Sequence, residues 1–263
     1  MTDGAGLVLR RSVGPATGLV LSRPDRGNAL TPALLDDLLT AIGSADRNRP
    51  LVVSGAGKAF SSGGDILGFL AHAGDPEALA AHGRTLVDGL NDVILALQAF
   101  PAPVLAAVNG PLTGGSLGLA LAADRIIMAD TAFVQPWYAA MGFAPDGGWT
   151  ALLPARIGSA RTHAWIAGND RLDAATCLAM GVCDRVCSAS DFASAMETEA
   201  RTLASADTAT LQASRRLLRP AEADLRAELE AERTAFLDCL LRPETIARMR
   251  AFAASGRTAK EAG

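Results

Sequence analysis

Ser61-Ser62-Gly63-Gly64-Asp65 and Asn109-Gly110-Pro111-Leu112-Thr113-Gly114-Gly115-Ser116 decide the reading of this chain. Each glycine-rich turn comes after an apolar, strand-like run: Leu51-Val52-Val53-Ser54 before the first, Val104-Leu105-Ala106-Ala107-Val108 before the second. Glycine lets a chain adopt positive φ and lets a ligand approach the backbone closely, and an N–H at a helix start adds the positive end of the helix dipole. Together the turns suggest two backbone N–H groups aimed at one oxygen, a geometry suited to an oxyanion.

The rest of the chain is that of an ordinary soluble protein. Its 263 residues, 49% hydrophobic and 20% charged, can bury a core for one large domain, or for one domain with a helical appendage. A net charge of -4 offers no basic field for nucleic acid. The first six residues lack the cationic and apolar regions of a secretory signal, and Asp124 and Arg125 cut short the longest apolar helix, so no membrane span is expected and a cytoplasmic location follows by default. Cysteines at 177, 183, 187 and 239 match neither metal-ligand spacing nor a redox motif, and no metal site is visible.

Residues 7–13 and 18–22 read as a β-hairpin broken by Gly14-Pro15, and Thr31-Pro32 opens a helix running to Ala45. The two apolar runs above and Arg125-Ile126-Ile127-Met128 read as buried strands separated by helical patterns, which predicts a largely parallel α/β arrangement of repeated ββα units. Asp75-Pro76 opens a long helix ending at Pro101, and residues 66–74 before it read as a loosely packed flap. From about Asp191 the pattern is helical, with Pro220 and Pro243 as separators and alternating charge over residues 222–241. The expected division is a core over 1–190 and a helical region over 191–263 that packs on the core or on a neighbouring subunit.

Three ordered motifs carry a resemblance. Arg23-Pro24-Asp25-Arg26-Gly27-Asn28-Ala29-Leu30, Lys58-Ala59-Phe60-Ser61-Ser62-Gly63-Gly64-Asp65 and Ala107-Val108-Asn109-Gly110 resemble the enoyl-CoA hydratase/isomerase family, the crotonase superfamily. The resemblance implies a crotonase-like spiral core, assembly into trimers or dimers of trimers, and an acyl-CoA substrate with no separate cofactor. It puts the oxyanion N–H groups, which would hold a thioester enolate, at Gly64 and Gly115. It puts the CoA phosphates near Arg26, the adenine near the backbone of Lys58, Ala59 and Ser62, and Asp65 and Ile66 at the substrate. Phe69, Leu70, Trp137, Tyr138, Met141 and Phe143 would form an apolar acyl pocket.

Hydratases of this family add water with two glutamates. Aligned through Asn109-Gly110, the first falls on Gly118; the second falls on Trp137 or Tyr138, depending on register. Neither is a carboxylate, which predicts negligible hydratase activity. Ala144-Pro145-Asp146-Gly147-Gly148 resembles the corresponding segment of isomerase members, and Asp146, flanked by Met141, Phe143 and Trp149, is the candidate base with a raised pKa. A second reading stands beside it, with Asp146 as the N-cap of a helical run over 149–155.

The expected chemistry is movement of a double bond: Asp146 takes a proton, Gly64 and Gly115 hold the dienolate oxygen, and Asp146 returns the proton elsewhere. Hydration, dehalogenation by carboxylate attack, C–C cleavage and non-catalytic acyl-CoA binding are the alternatives. A remoter one makes Ser116, within Gly114-Gly115-Ser116-Leu117-Gly118, a thioesterase nucleophile. His72, His82 and His163 share no spacing; the first two read as surface residues and His163 as a packed one.

Overall fold

The computed structural model describes residues 6–261; residues 1–5, on which part of the reading of no leader rests, and 262–263 lie outside it. Six strands, β1 (Val8–Val13), β2 (Ala16–Leu21), β3 (Leu51–Gly55), β4 (Val104–Val108), β6 (Arg125–Ala129) and β9 (Arg185–Cys187), form one sheet in the order β1-β2-β3-β4-β6-β9. The β1–β2 hairpin is antiparallel, and every later pairing is parallel. A smaller sheet joins β5 (Leu112–Thr113), β7 (Phe133–Gln135) and β8 (Leu172–Asp173).

Side chains alternate across the strands, and helices cover both faces, which is why the strands read as continuous apolar runs. Leu51, Val53, Val104, Ala106, Val108, Ile126 and Met128 join the main core, against α1 (Pro32–Gly43) and α3 (Pro76–Ala99). Val52, Leu105, Ala107 and Ile127 face the other way and pack with Ala200 and Leu203 of α9 (Phe192–Ser205). Side-chain caps begin the helices where the sequence places them. Thr31 Oγ1 accepts from Leu34 N at 3.2 Å, and Asp75 Oδ1 from Glu77 N at 2.9 Å.

The expected loose flap is instead a helix, α2 (Ile66–His72). Asp65 caps it, accepting from Leu67 N at 3.2 Å, and Phe69 is buried to 1% exposure among aromatic rings, which holds the segment down. Five short helices, α4 (Leu117–Leu121), α5 (Tyr138–Met141), α6 (Leu153–Ile157), α7 (Ser159–Gly168) and α8 (Ala174–Met180), connect the strands of the second half. Beyond α9 lie α10 (Thr208–Leu218), α11 (Glu222–Leu240) and α12 (Pro243–Glu261); among the described residues no helix is long and apolar enough to cross a membrane.

These last helices are tied to the core by polar contacts. Asp124 Oδ2 accepts from Val104 N at 2.7 Å, while Oδ1 accepts from Arg215 Nε at 2.7 Å and from Arg219 at 2.8 Å, so one carboxylate joins β4 to α10. Asn91 of α3 donates to Leu229 O of α11 at 3.3 Å, and Thr245 of α12 to Gly142 O at 3.0 Å, which ties α11 to α3 and α12 to the end of α5. Asp124→Asn is expected to lower the unfolding free energy by about 2–3 kcal/mol, the scale of charge-assisted hydrogen bonds, as read from urea denaturation.

Candidate active site

The two glycine turns are sewn to each other. Thr113 N donates to Ser61 O at 3.1 Å, Phe60 N and Ser61 N both donate to Pro111 O at 3.1 Å, and the Ser116 hydroxyl donates to Thr113 O at 2.7 Å and Ser61 O at 3.2 Å. Asn28 and Asn109 lock the outside of the first turn. The Asn28 amide donates to Ala56 O and Ala59 O, and Ser61 Oγ to Asn28 O, while Asn109 bridges Gly55 N, Gly57 O and Ala59 O. Gly64 is bracketed by two bonds to Leu30, from Leu30 N to Gly63 O at 2.8 Å and from Asp65 N to Leu30 O at 3.0 Å, which leave its own N–H out of the ladder. Gly115 lies in a short 3-10 turn, residues Gly114–Ser116, that leads into α4, and first-turn N–H groups have no intrahelical acceptor.

Both glycines line one cavity of about 250 Å³. Of the other predicted residues, Ser62, Ile66, Phe69, Trp137, Tyr138, Met141, Phe143 and Asp146 line it too, and Arg26, Lys58, Ala59, Asp65 and Leu70 do not. Asp65 is engaged elsewhere, capping α2 and pairing with Arg23 at 3.1 Å and Arg26 at 3.4 Å; those cations hold its carboxyl below the usual range against the opposing effect of burial. Trp137 has φ of 65°, a left-handed conformation rare for a bulky residue, and its N–H is held by Asn169 Oδ1 at 2.7 Å.

Asp146 is the carboxylate of the cavity. It is 5% exposed, and Tyr138 Oη donates to its Oδ1 at 2.7 Å and reaches its carbonyl oxygen at 2.9 Å. Burial pushes its pKa up to about 7, the Tyr138 hydrogen bond opposes that rise, and the nearby Glu232 charge adds to it. Burial, and then the Asp146 charge, push Tyr138 well above an ordinary tyrosine, so it stays a donor. The carboxylate also lies against the second turn: a β-carbon at position 115 would fall 2.6 Å from Asp146 Oδ1. Only glycine leaves room for the acid beside that N–H.

Position 118 explains the missing hydratase glutamate. A β-carbon there would sit 2.1 Å from Gly147 O and 2.6 Å from Ile94, because the loop carrying Asp146 fills the space a side chain needs. The helix expected over 149–155 begins only at Leu153, after turns, and has no side-chain cap, so Asp146 is not its N-cap; the backbone N–H groups after Asp146 go to Glu232 of α11. Its Oε2 accepts from Gly148 N at 2.7 Å, and its Oε1 from Thr150 N and Oγ1 at 2.6 Å and from Ala151 N at 3.1 Å. The sequence reading missed Glu232, although a signal was present: buried residues of α11 fall at Leu225, Leu229, Glu232, Phe236 and Leu240, which puts a carboxylate on an apolar stripe.

The expectations for Ser116 and His163 need correction. Ser116 is fully buried, does not line the cavity and spends its hydroxyl on backbone carbonyls, so it is not an exposed nucleophile. His163 is exposed on α7 rather than packed. His72 and His82 stack on each other at 4.7 Å outside the cavity lining, with His72 exposed and His82 half-buried. The four cysteines are unpaired, and burial pushes Cys177 up to about 12 and Cys183 to about 11.

The family model of enoyl-CoA hydratase/isomerase matches residues 17–255. The chain belongs to that family and is an acyl-CoA enzyme of the crotonase fold. It is 34% identical over 190 residues to 4-chlorobenzoyl coenzyme A dehalogenase-2 of Arthrobacter sp, covering 71% of this chain and 68% of that one. It is 27% identical to enoyl-CoA delta isomerase 2 of Rattus norvegicus, over 82% of this chain and 55% of the relative. The crystal structure of enoyl-CoA hydratase from Bacillus halodurans superimposes with a TM-score of 0.85 at 23% identity, covering 94% of this chain and all of that one, a likeness of fold.

Gly118→Ala is expected to cost at least about 1–3 kcal/mol in thermal unfolding through overpacking against backbone. Gly118→Glu, which restores the hydratase residue type, is expected to fold poorly and to show no crotonyl-CoA hydration in a spectrophotometric assay.

Proposed function

We propose that this protein isomerises the double bond of an unsaturated acyl-CoA through an enolate. The observation that carries the reading is the lining of the cavity: among the described residues it holds one carboxylate, Asp146, and one other titratable side chain, its hydrogen-bond donor Tyr138. The ionised Asp146 removes a proton from carbon, and the electron pair moves to the thioester oxygen. The N–H groups of Gly64 and Gly115 hold that oxygen, and Asp146, now protonated, delivers the proton to another carbon of the conjugated system. Fixed donors of this kind are worth about 3–4 kcal/mol each in acyl transfer.

One base is enough to move a proton between two carbons, whereas hydration needs one group to activate water and another to deliver a proton. A second reading, attack of the Asp146 carboxylate on an aryl carbon, is favoured by the similarity to the 4-chlorobenzoyl coenzyme A dehalogenases. It asks more of the site, because hydrolysis of the resulting ester needs a base for water besides the nucleophile. Chloride release from 4-chlorobenzoyl-CoA would establish it.

The test is wash-in of deuterium at the α- or γ-carbon of an unsaturated acyl-CoA in heavy water. Exchange is expected to rise with pH through a midpoint near 7 and to level off above it, because the base acts ionised. Asp146→Asn is expected to reduce exchange at least about 100-fold. The variant also has a signature in stability. An acid whose pKa is higher in the folded chain binds more protons when folded, so ionising Asp146 weakens folding progressively as pH rises from about 4 towards 7, and the full penalty stands above that. Removing the penalty should leave the melting temperature near pH 8 unchanged or higher; a wild type without exchange in any unsaturated acyl-CoA would overturn the isomerase reading.

A further inference from the structure

We infer that Phe69, Phe143 and Phe236 form a closed end wall that restricts this site to a compact, flat acyl group, a short conjugated chain or a single ring, and shuts out long-chain acyl groups. The inference rests on reading the cavity as the acyl site, and it adds the class of acyl group. The three rings come from α2, the segment after α5, and α11, and they meet in one cluster. Phe143 and Phe236 lie 5.0 Å apart between centroids, Phe69 and Phe236 6.0 Å, and Phe69 and Phe143 6.2 Å. Phe69 and Phe236 are 1% and 3% exposed, so the wall does not swing freely.

Packed side chains stand behind Phe69. Leu240 is fully buried there, and α3 meets α11 so closely that a β-carbon at position 83 would stand 2.5 Å from Leu240 and 3.8 Å from the Phe69 ring. A chain longer than the cavity therefore has no tunnel to enter. The thioester must share the cavity of about 250 Å³ with the acyl group.

Shape argues in the same direction. Trp137 and Tyr138 add two more aromatic faces to the lining, and the chain, with only 5% aromatic residues, concentrates them here. Aromatic faces and edges favour a planar, polarisable partner over a flexible alkyl chain, which would also lose rotamer freedom on entering. A dienolate is planar, so the same walls fit the intermediate.

Isothermal titration with phenylacetyl-CoA, 2,4-hexadienoyl-CoA, dodecanoyl-CoA and free CoA tests this without requiring turnover. The two compact thioesters are expected to bind at least about tenfold more tightly than dodecanoyl-CoA, which should bind no better than free CoA. Phe236→Ala is expected to improve dodecanoyl-CoA binding at least about tenfold, and Phe143→Leu, at a less buried position, serves if the first variant does not fold. Wild-type protein that prefers dodecanoyl-CoA, or folded wall variants that leave its affinity unchanged, would overturn the inference. Thioesters all binding like free CoA would overturn the acyl-site reading as well. Selective binding without deuterium exchange would instead remove the isomerase reading and leave the end wall standing.

Discussion

No side chain can stand at positions 115 or 118, because the Asp146-Gly147 loop already occupies that space, and the rest of the site depends on this close fit. It presses a carboxylate against the N–H end of a 3-10 turn while excluding the glutamate that a water-adding relative would carry there. The burial that follows makes Asp146 hard to ionise. Tyr138 offsets part of that cost with one hydrogen bond, and the balance leaves an acid that titrates close to neutrality.

Such a fit needs rigid surroundings, and the structure supplies them from three directions. From one side, Ser61, Ser116 and Asn109 sew the two turns together and Asn28 locks the first, so Gly64 and Gly115 share one hollow. From within, the Trp149 indole N–H donates to Gly114 O at 2.8 Å, pinning the acid loop to the second turn. From the C-terminal helices, Glu232 caps the backbone just beyond Asp146, and Phe236, one helical turn later, closes the hollow. Cap and wall thus stand on the same buried stripe of α11.

Much of this was legible in the linear chain wherever the cause is local. Apolar runs followed by glycine turns announce buried parallel strands, because a sheet covered on both faces needs no polar alternation. Thr31-Pro32 and Asp75-Pro76 announce helix starts, because a cap and a missing N–H act within one turn. The lack of glutamate at 118, and an acid between apolar neighbours at 146, were equally visible. The packing of residues 66–74 was not, because Phe69 is fixed by Phe143 and Phe236, both remote in sequence.

Asp146 marks the boundary most clearly. A lone aspartate before Gly-Gly suits a cap as well as a base, and both roles are local possibilities of the same residue type. What stands against the cap is Glu232, 86 positions away, whose carboxylate takes the backbone donors a cap would use while Asp146 lines the hollow. Composition and spacing decide what each short segment can do on its own. Only folding, by bringing distant segments into contact, decides which donors remain unclaimed, how dry a carboxylate becomes and where a cavity ends.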